Sequence, residues 1–101
     1  MNKEHEPELV PVVLYNPGLG TNPPGYNGAV AVPWGSRGVI DMSRPWSDLM
    51  GNYWNGYWIV DGKAVFYHVL TLLVKPIARA AISDDEMSLL RKCYEDGQRC
   101  A

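Results

Sequence analysis

The sequence predicts an α+β fold in which a small antiparallel sheet of about four strands carries a C-terminal helix packed on it. The first observation behind this prediction is the pair Asp61-Gly62, which lies between two runs of aromatic and β-branched residues. Such a pair is typical of a two-residue hairpin, because a type I′ turn needs positive φ at both positions. The second observation is Ser83, which precedes Glu86 by three positions at the start of an amphipathic segment. This spacing is the signature of a helix capping box.

The predicted central hairpin is rich in aromatic residues: six of the fifteen residues 53–67 are Trp, Tyr or Phe. Alternate side chains of a strand point to opposite faces, so Tyr57 and Ile59 should share one face and Trp58 and Val60 the other. We expect the C-terminal helix to cover the Trp58 face. Trp58 should then be core, and Tyr57 should lie nearer to solvent.

Residues 9–101 are predicted to form one domain, preceded by a flexible N-terminus at residues 1–8. Gly and Pro are frequent in residues 16–27, which indicates a loop. Runs of β-formers predict strands at 9–15, 28–33 and 39–40.

A short helix is predicted near residues 43–52, with Ser43 as its N-cap, because Trp46, Leu49 and Tyr53 have the spacing of one helical face. Residues 64–74 fit either a strand or a helix. Their β-branched content and the preceding turn favour a long second arm of the hairpin. A further short strand is predicted at residues 77–81.

The C-terminal helix is predicted over residues 84–96, with Ser83 as N-cap, Glu86 at the third helical position and Gly97 ending the helix. Ile82 precedes the cap at the position of a hydrophobic staple. The apolar face of the helix consists of Met87, Leu90, Cys93 and Tyr94.

Composition excludes several classes of protein. A formal net charge of −2 over 101 residues argues against direct nucleic-acid binding, which requires a basic face. The longest apolar run, at residues 69–74, is too short to span a membrane, and the first residues lack the apolar core of a signal peptide. Cys93 and Cys100 are expected to be free thiols, so we expect a cytoplasmic protein.

No catalytic residue, metal site or cofactor is predicted. His5, His68, Cys93 and Cys100 lack the compact spacing of metal ligands. His68 and Cys93 are the candidates for a small enzyme. His68 lies in an apolar run and Cys93 on the predicted buried helix face, so structural roles are favoured for both.

A protein-binding surface is predicted instead. Trp34 lies near Arg37 in a Gly- and Ser-containing loop, and Trp54 and Trp58 flank Asn55-Gly56, where a chain reversal is expected to expose at least one ring. Trp, Tyr and Arg are the residue types enriched at interface hot spots. The predicted contact residues are Trp34, Arg37, Trp54, Asn55 and Tyr57.

An aromatic pattern runs through the centre of the chain. It reads Trp46-x-x-Leu49-x-x-x-Tyr53-x-Asn55-Gly56-Tyr57-Trp58, followed by Gly62 and Phe66-Tyr67. This pattern resembles the aromatic signature of ArdB/KlcA-type antirestriction proteins, and the later Ile82-Ser83-x-Asp85 is similar to a helix start of that family. The chain is shorter than the family's members. The resemblance implies a phage or plasmid protein that blunts host defence without being an enzyme, and small anti-CRISPR proteins offer an analogy.

The leading hypothesis from the sequence is therefore a non-enzymatic protein-binding inhibitor whose partner is a host protein or ribonucleoprotein complex. One alternative is a single-stranded nucleic-acid-binding protein that stacks bases on Trp and Tyr, with Arg37, Arg44 and Lys63 near them. The other alternative is a small enzyme that uses His68 or Cys93.

Overall fold

The structure is a computed structural model, and it describes residues 9–16, 18, 25–27, 30–49 and 51–100. Five strands form one antiparallel sheet in the order β6-β5-β4-β1-β7, and β2 and β3 form a separate hairpin. The helix α1 follows the last strand and packs on the sheet, so the predicted α+β fold is confirmed. The elements are β1 (Leu9–Leu14), β2 (Gly25–Asn27), β3 (Val30–Val32), β4 (Arg37–Asp48), β5 (Gly51–Val60), β6 (Lys63–Leu70), β7 (Val74–Pro76) and α1 (Asp84–Cys100), with 3-10 turns at Thr71–Leu73 and Arg79–Ala81.

The predicted hairpin is confirmed as β5 and β6. Asp61 and Gly62 have φ values of 53° and 76°, and the flanking residues Val60 and Lys63 are paired. Positive φ at both turn positions is the geometry of a type I′ turn, for which Asp-Gly is a preferred sequence. The register continues without interruption to the pair of Tyr53 with Leu70.

The sheet is strongly curled, because its two edge strands are joined by the three residues Thr71–Leu73. The chain from Leu70 to Val74 can span at most about 14 Å. In a flat sheet of this order, the edge strands β6 and β7 would lie about 19 Å apart. The sheet therefore has an inner, concave face and an outer, convex face.

The inner face encloses Trp58, which is fully buried as predicted. Its indole Nε1–H donates to the carbonyl of Tyr67 at 3.0 Å, so the one polar atom of the ring is satisfied. A Cβ at Gly56 would lie 2.6 Å from that Nε1, and one at Gly38 would lie 2.9 Å from the Trp58 ring. Two glycines thus make room for the indole. The inner cluster consists of Val12, Leu14, Val32, Ile40, Trp58, Val69 and Leu73.

The helix α1 covers the outer face, and the expectation that it covers the Trp58 face is wrong. Tyr57 is 3% exposed and contacts the ring of Tyr94 edge-on, with a centroid distance of 5.6 Å. The expectation that Tyr57 lies nearer to solvent is therefore wrong as well. The alternation was correct, but the curled sheet buries Trp58 and the helix buries the opposite face. The outer cluster consists of Val39, Tyr57, Ile82 and Leu90.

The predicted helix near residues 43–52 is wrong, because this segment forms the end of β4 and the start of β5. Trp46 pairs with Tyr53, and Asp48 with Gly51, so the chain reverses where the apolar spacing indicated a helix. Between Asp41 and Trp46 the register shifts, and β4 forms a bulge. The buried carboxylate of Asp41 accepts a hydrogen bond from the backbone N–H of Ser43 at 3.0 Å, which fixes the bulge.

Other boundaries differ from the prediction in smaller ways. The second hairpin arm ends at Leu70, where the 3-10 turn begins, and residues 77–81 contain a 3-10 turn rather than a strand. The predicted strand at 28–33 corresponds to Val30–Val32, and residues 39–40 lie within β4. Part of the predicted loop 16–27 forms β2. The flexible N-terminus predicted at 1–8 lies outside the described residues.

The start of α1 is confirmed as a capping box. The backbone N–H of Ser83 donates to Glu86 Oε1, and the backbone N–H of Glu86 donates to Ser83 Oγ, each at 3.1 Å. The helix continues past residue 96 and through Gly97 to Cys100, because a glycine within a helix costs only about 1 kcal/mol relative to alanine. Within the described part of the chain, no helix combines the length and apolar character needed to cross a membrane.

Candidate binding site at the distal end of the sheet

The candidate site lies where β4 and β5 extend past the last pair of β5 with β6. We call this the distal end. Beyond the pair of Tyr53 with Leu70, β4 and β5 stay paired as far as Asp48 with Gly51 and then turn. A Cβ at Gly51 would lie 3.1 Å from the side chain of Leu70, so this turn contacts the end of β6. The turn and the 3-10 turn that follows Leu70 therefore lie together.

Two aliphatic side chains are exposed at the distal end. Leu49, in the turn between β4 and β5, is fully exposed, and Leu72, in the 3-10 turn, is 68% exposed. Each would bury apolar area against a partner, and full burial of a leucine contributes about 1.5–3 kcal/mol. They are the two most exposed large apolar residues of the described chain.

A cavity of about 450 Å³ opens at the same end. Strand alternation places Pro45 and Ser47 of β4 beside Asn52 and Trp54 of β5, on the inner side of the sheet. Tyr53 and Thr71 complete the described lining. Cavities of this size are within the range that binds small ligands, and the mouths of curled sheets are common places for them.

Trp54 connects the cavity with the protein interior. Its ring packs against the inner cluster and is half-buried, and it also lines the cavity. Packing on one side fixes the orientation of the ring, so a ligand would not have to order it. The prediction that Trp54 contributes to a contact surface is compatible with this position.

The described lining of the cavity carries no net charge at pH 7. Partial burial raises the pKa of Tyr53, and the negative charge of Asp48 and the hydrogen bond that the phenol donates to it raise the pKa further. The phenol therefore keeps its proton. The other described lining side chains are not ionisable. The site offers aromatic surface, hydroxyl groups and an amide, rather than charge.

Arg37 lies at the opposite end of β4 from this site, and Trp34 lies in the turn that precedes β4. Trp34 is half-buried against the inner cluster, and its buried Nε1 has no hydrogen-bond partner among the described residues. The turn that contains Trp34 is hydrogen-bonded to β1, because the backbone N–H of Gly35 donates to the carbonyl of Leu14 at 2.9 Å. Arg37 forms a two-pronged ion pair with Glu86, at 3.0 and 2.8 Å, and also donates to the carbonyl of Ala81. Arg37 thus fastens α1 to β4.

Asn55 and Tyr57 lie on the outer face. Asn55 is half-buried, and in the strand register it lies opposite Asp41 of β4 and His68 of β6. Tyr57 is covered by α1, so it cannot present its ring to a partner. The prediction that Tyr57 is a contact residue is therefore wrong. Burial also raises the pKa of Tyr57 to about 12, with the charge of Asp41 as the next contribution. The five predicted contact residues thus lie on both faces of the sheet and do not form one surface.

The structure does not bring His68 and Cys93 together. Cys93 lines a second cavity, of about 280 Å³, beside Ala64. His68 lies four residues after Ala64 on β6, which corresponds to about 13 Å along the strand. Burial and the neighbouring Asp96 raise the pKa of the Cys93 thiol, which favours the unreactive protonated form. Within the described ranges, no group of three or more His, Cys, Asp or Glu side chains could hold a metal ion.

The basic residues of the nucleic-acid alternative are also dispersed. Arg37 is paired with Glu86, Lys63 follows the Asp61-Gly62 turn, and Arg44 lies in the bulge of β4 toward the other end. A groove that binds single-stranded nucleic acid would need basic residues in a row beside the aromatic rings on which the bases stack.

The sequence prediction missed Pro45, Ser47, Asn52, Tyr53 and Thr71 as lining residues. It placed residues 43–52 in one helix, which would separate Ser47 from Asn52, whereas the structure pairs them. Tyr53 and Trp54 are aromatic β-formers shortly before Tyr57 and Trp58, and this was the signal that could have extended the predicted strand toward residue 52.

No protein-family model matches this chain, and no curated protein or solved structure matches it either. The candidate site therefore rests on its geometry and chemistry.

Proposed function

We propose that this protein is a non-enzymatic protein-binding inhibitor that contacts its partner through the distal end of the sheet. The observation that carries the proposal is the exposure of Leu49 and Leu72 beside the cavity that Trp54 lines. Aliphatic residues next to an aromatic anchor match the apolar centre of a protein interface.

The site is also held in shape before a partner binds. Leu49 projects from a turn between two paired strands, and Trp54 is packed on the inner cluster. Ordering loops and side chains is one of the main costs of association, so a preformed surface binds more tightly than a mobile one of equal area.

The class of partner is proposed from the resemblance of residues 46–85 to ArdB/KlcA-type antirestriction proteins. On this basis the partner is a protein or ribonucleoprotein complex of host defence, of the restriction or CRISPR type, and the inhibitor serves a phage or plasmid. Leu49 and Tyr53, which belong to the resembling pattern, lie at the distal end. The pattern and the proposed contact surface therefore coincide in part.

The test compares three tagged forms: the unaltered chain, the double variant Leu49→Asp/Leu72→Asp, and Leu89→Asp as a control. Leu89 is 41% exposed on α1, so the control adds a carboxylate to an apolar position outside the distal end. In bacteria that carry a restriction or CRISPR system, the unaltered chain and the control should raise the efficiency of plasmid transformation. The double variant should not, although its thermal melt should match that of the control.

Capture of the purified defence complexes by the same three forms locates the contact. Loss of binding only in the double variant supports the distal end. Equal binding by the double variant and the control would refute it, and protection that persists without any stable complex would refute the inhibitor mechanism.

A further inference from the structure

We propose that the cavity at the distal end recognises an extended, proline-containing segment of the partner protein. This inference rests on the function proposed above, because it names what the same surface binds. It is argued from the shape, the hydrogen-bonding groups and the charge of the lining.

The apolar part of the lining suits a prolyl ring. Trp54 of β5 and Pro45 of β4 line the cavity from facing strands on the inner side of the sheet, whereas the Tyr53 ring lies on the other side, edge-on to His68 at 5.6 Å. The Trp54 ring is held against the inner cluster, so its orientation is fixed. A prolyl ring is rigid and has little rotamer freedom to lose, so it gains contact with an aromatic surface at a small entropic cost.

The polar part of the lining suits the backbone of an extended segment. Asn52 offers an amide, and Ser47 and Thr71 offer hydroxyl groups around the same cavity. A polyproline II segment makes no internal hydrogen bonds, so its carbonyls accept from a partner. Ser47 and Asn52 are directly opposite on paired strands, and both are exposed. Their donors can therefore reach successive carbonyls of one segment.

Charge and surroundings distinguish this occupant from others. The described lining has no cation, so it does not match a phosphate or nucleic-acid backbone. Aromatic rings with hydroxyl and amide groups would also suit a neutral saccharide. However, the exposed Leu49 and Leu72 lie close along the chain to the lining residues Ser47 and Thr71, and exposed aliphatic side chains match the apolar side chains of a peptide rather than sugar hydroxyls.

The experiment screens an array of short peptides that contain Pro-x-x-Pro, each beside a matched peptide with its prolines replaced by alanine. A panel of neutral oligosaccharides is tested in parallel. Binding to the unaltered chain is detected by the change in its Trp fluorescence, and the dissociation constant is obtained by titrating each peptide. Asn52→Ala and Ser47→Ala alter exposed lining positions and should not disturb the fold. Each should weaken the best peptide about tenfold, or about 1.4 kcal/mol, which is the loss expected for one hydrogen bond. The control Asn16→Ala lies outside the lining and should bind as the unaltered chain does.

Selective binding of proline peptides, with competition against the captured partner, supports the inference. If the partner still binds through Leu49 and Leu72 but no proline peptide competes, the occupant is wrong and the proposed function stands. Binding of a saccharide instead also overturns the inference. If the partner is retained by Leu49→Asp/Leu72→Asp, the proposed function fails, whatever the peptides do.

Discussion

At the scale of single residues, neighbours on one strand can have opposite environments and still both be core. Trp58 is enclosed by the inner face and Tyr57 is covered by α1, although they are adjacent on β5. Strand alternation correctly placed them on different faces. It could not show that both faces are buried, because the covering of each depends on contacts between distant segments.

The residue prediction concerns Tyr57, Trp58 and Trp54. Tyr57→Ala and Trp58→Ala each remove a buried aromatic side chain, so each should lower the free energy of unfolding by about 3–5 kcal/mol. Trp54→Ala should cost less, because half-burial leaves less area to lose. Urea unfolding of the three variants measures this order. A Tyr57→Ala protein as stable as the unaltered chain would contradict the position of Tyr57 beneath α1.

At the scale of elements, the best-predicted features are those that short stretches of sequence determine. The Asp61-Gly62 turn and the Ser83–Glu86 capping box involve residues within a few positions of one another, and both were predicted correctly. Residues 43–52 were not, because the pairing of β4 with β5 and the bulge after Asp41 depend on the whole sheet. The cavity belongs to that region, so its lining was missed with it.

The element prediction concerns Glu86, which joins the capping box to Arg37 of β4. Hydrogen bonds from the Arg37 guanidinium and from Ser83 hold the pKa of this carboxyl below its ordinary value of 4.5. A lowered folded-state pKa means that its stabilisation is complete above the unfolded-state pKa and is lost as the pH falls through the folded-state value. Glu86→Gln should therefore destabilise the protein at pH 7 and flatten the fall in stability below pH 4.5.

The comparison for this prediction is Ser83→Ala, which removes only a cap and should cost about 1 kcal/mol. Glu86→Ala should cost at least as much, because it also removes the partner of Arg37. Glu95→Gln, at an exposed position of α1, controls for the change in net charge. The free energy of unfolding of each variant is measured from pH 3 to pH 7. If it falls with pH by the same amount in Glu86→Gln and in the unaltered chain, the role of this ion pair is contradicted.

At the scale of the whole molecule, two clusters share one sheet. The inner cluster and the outer cluster are lined by alternate residues of the same strands, as Val39 and Ile40 of β4 illustrate. Moving a strand would disturb both clusters at once. The curl that creates this arrangement follows from the short connection between β6 and β7, which no local pattern in the sequence indicated. Loss of packing in one cluster should therefore destabilise the other cluster as well.

The last prediction tests this coupling with Leu90→Ala. Leu90 is fully buried beneath α1 in the outer cluster, so its truncation should cost about 2–5 kcal/mol. The Trp fluorescence, to which Trp34, Trp54 and Trp58 of the inner face contribute, should nevertheless change at the same temperature as the helical circular dichroism, in the variant and in the unaltered chain. Leu72→Ala, at an exposed position, is the matched control and should leave both midpoints in place. Loss of the helical signal well before the Trp fluorescence changes would mean that α1 unfolds independently, and the two clusters would then not form one cooperative unit.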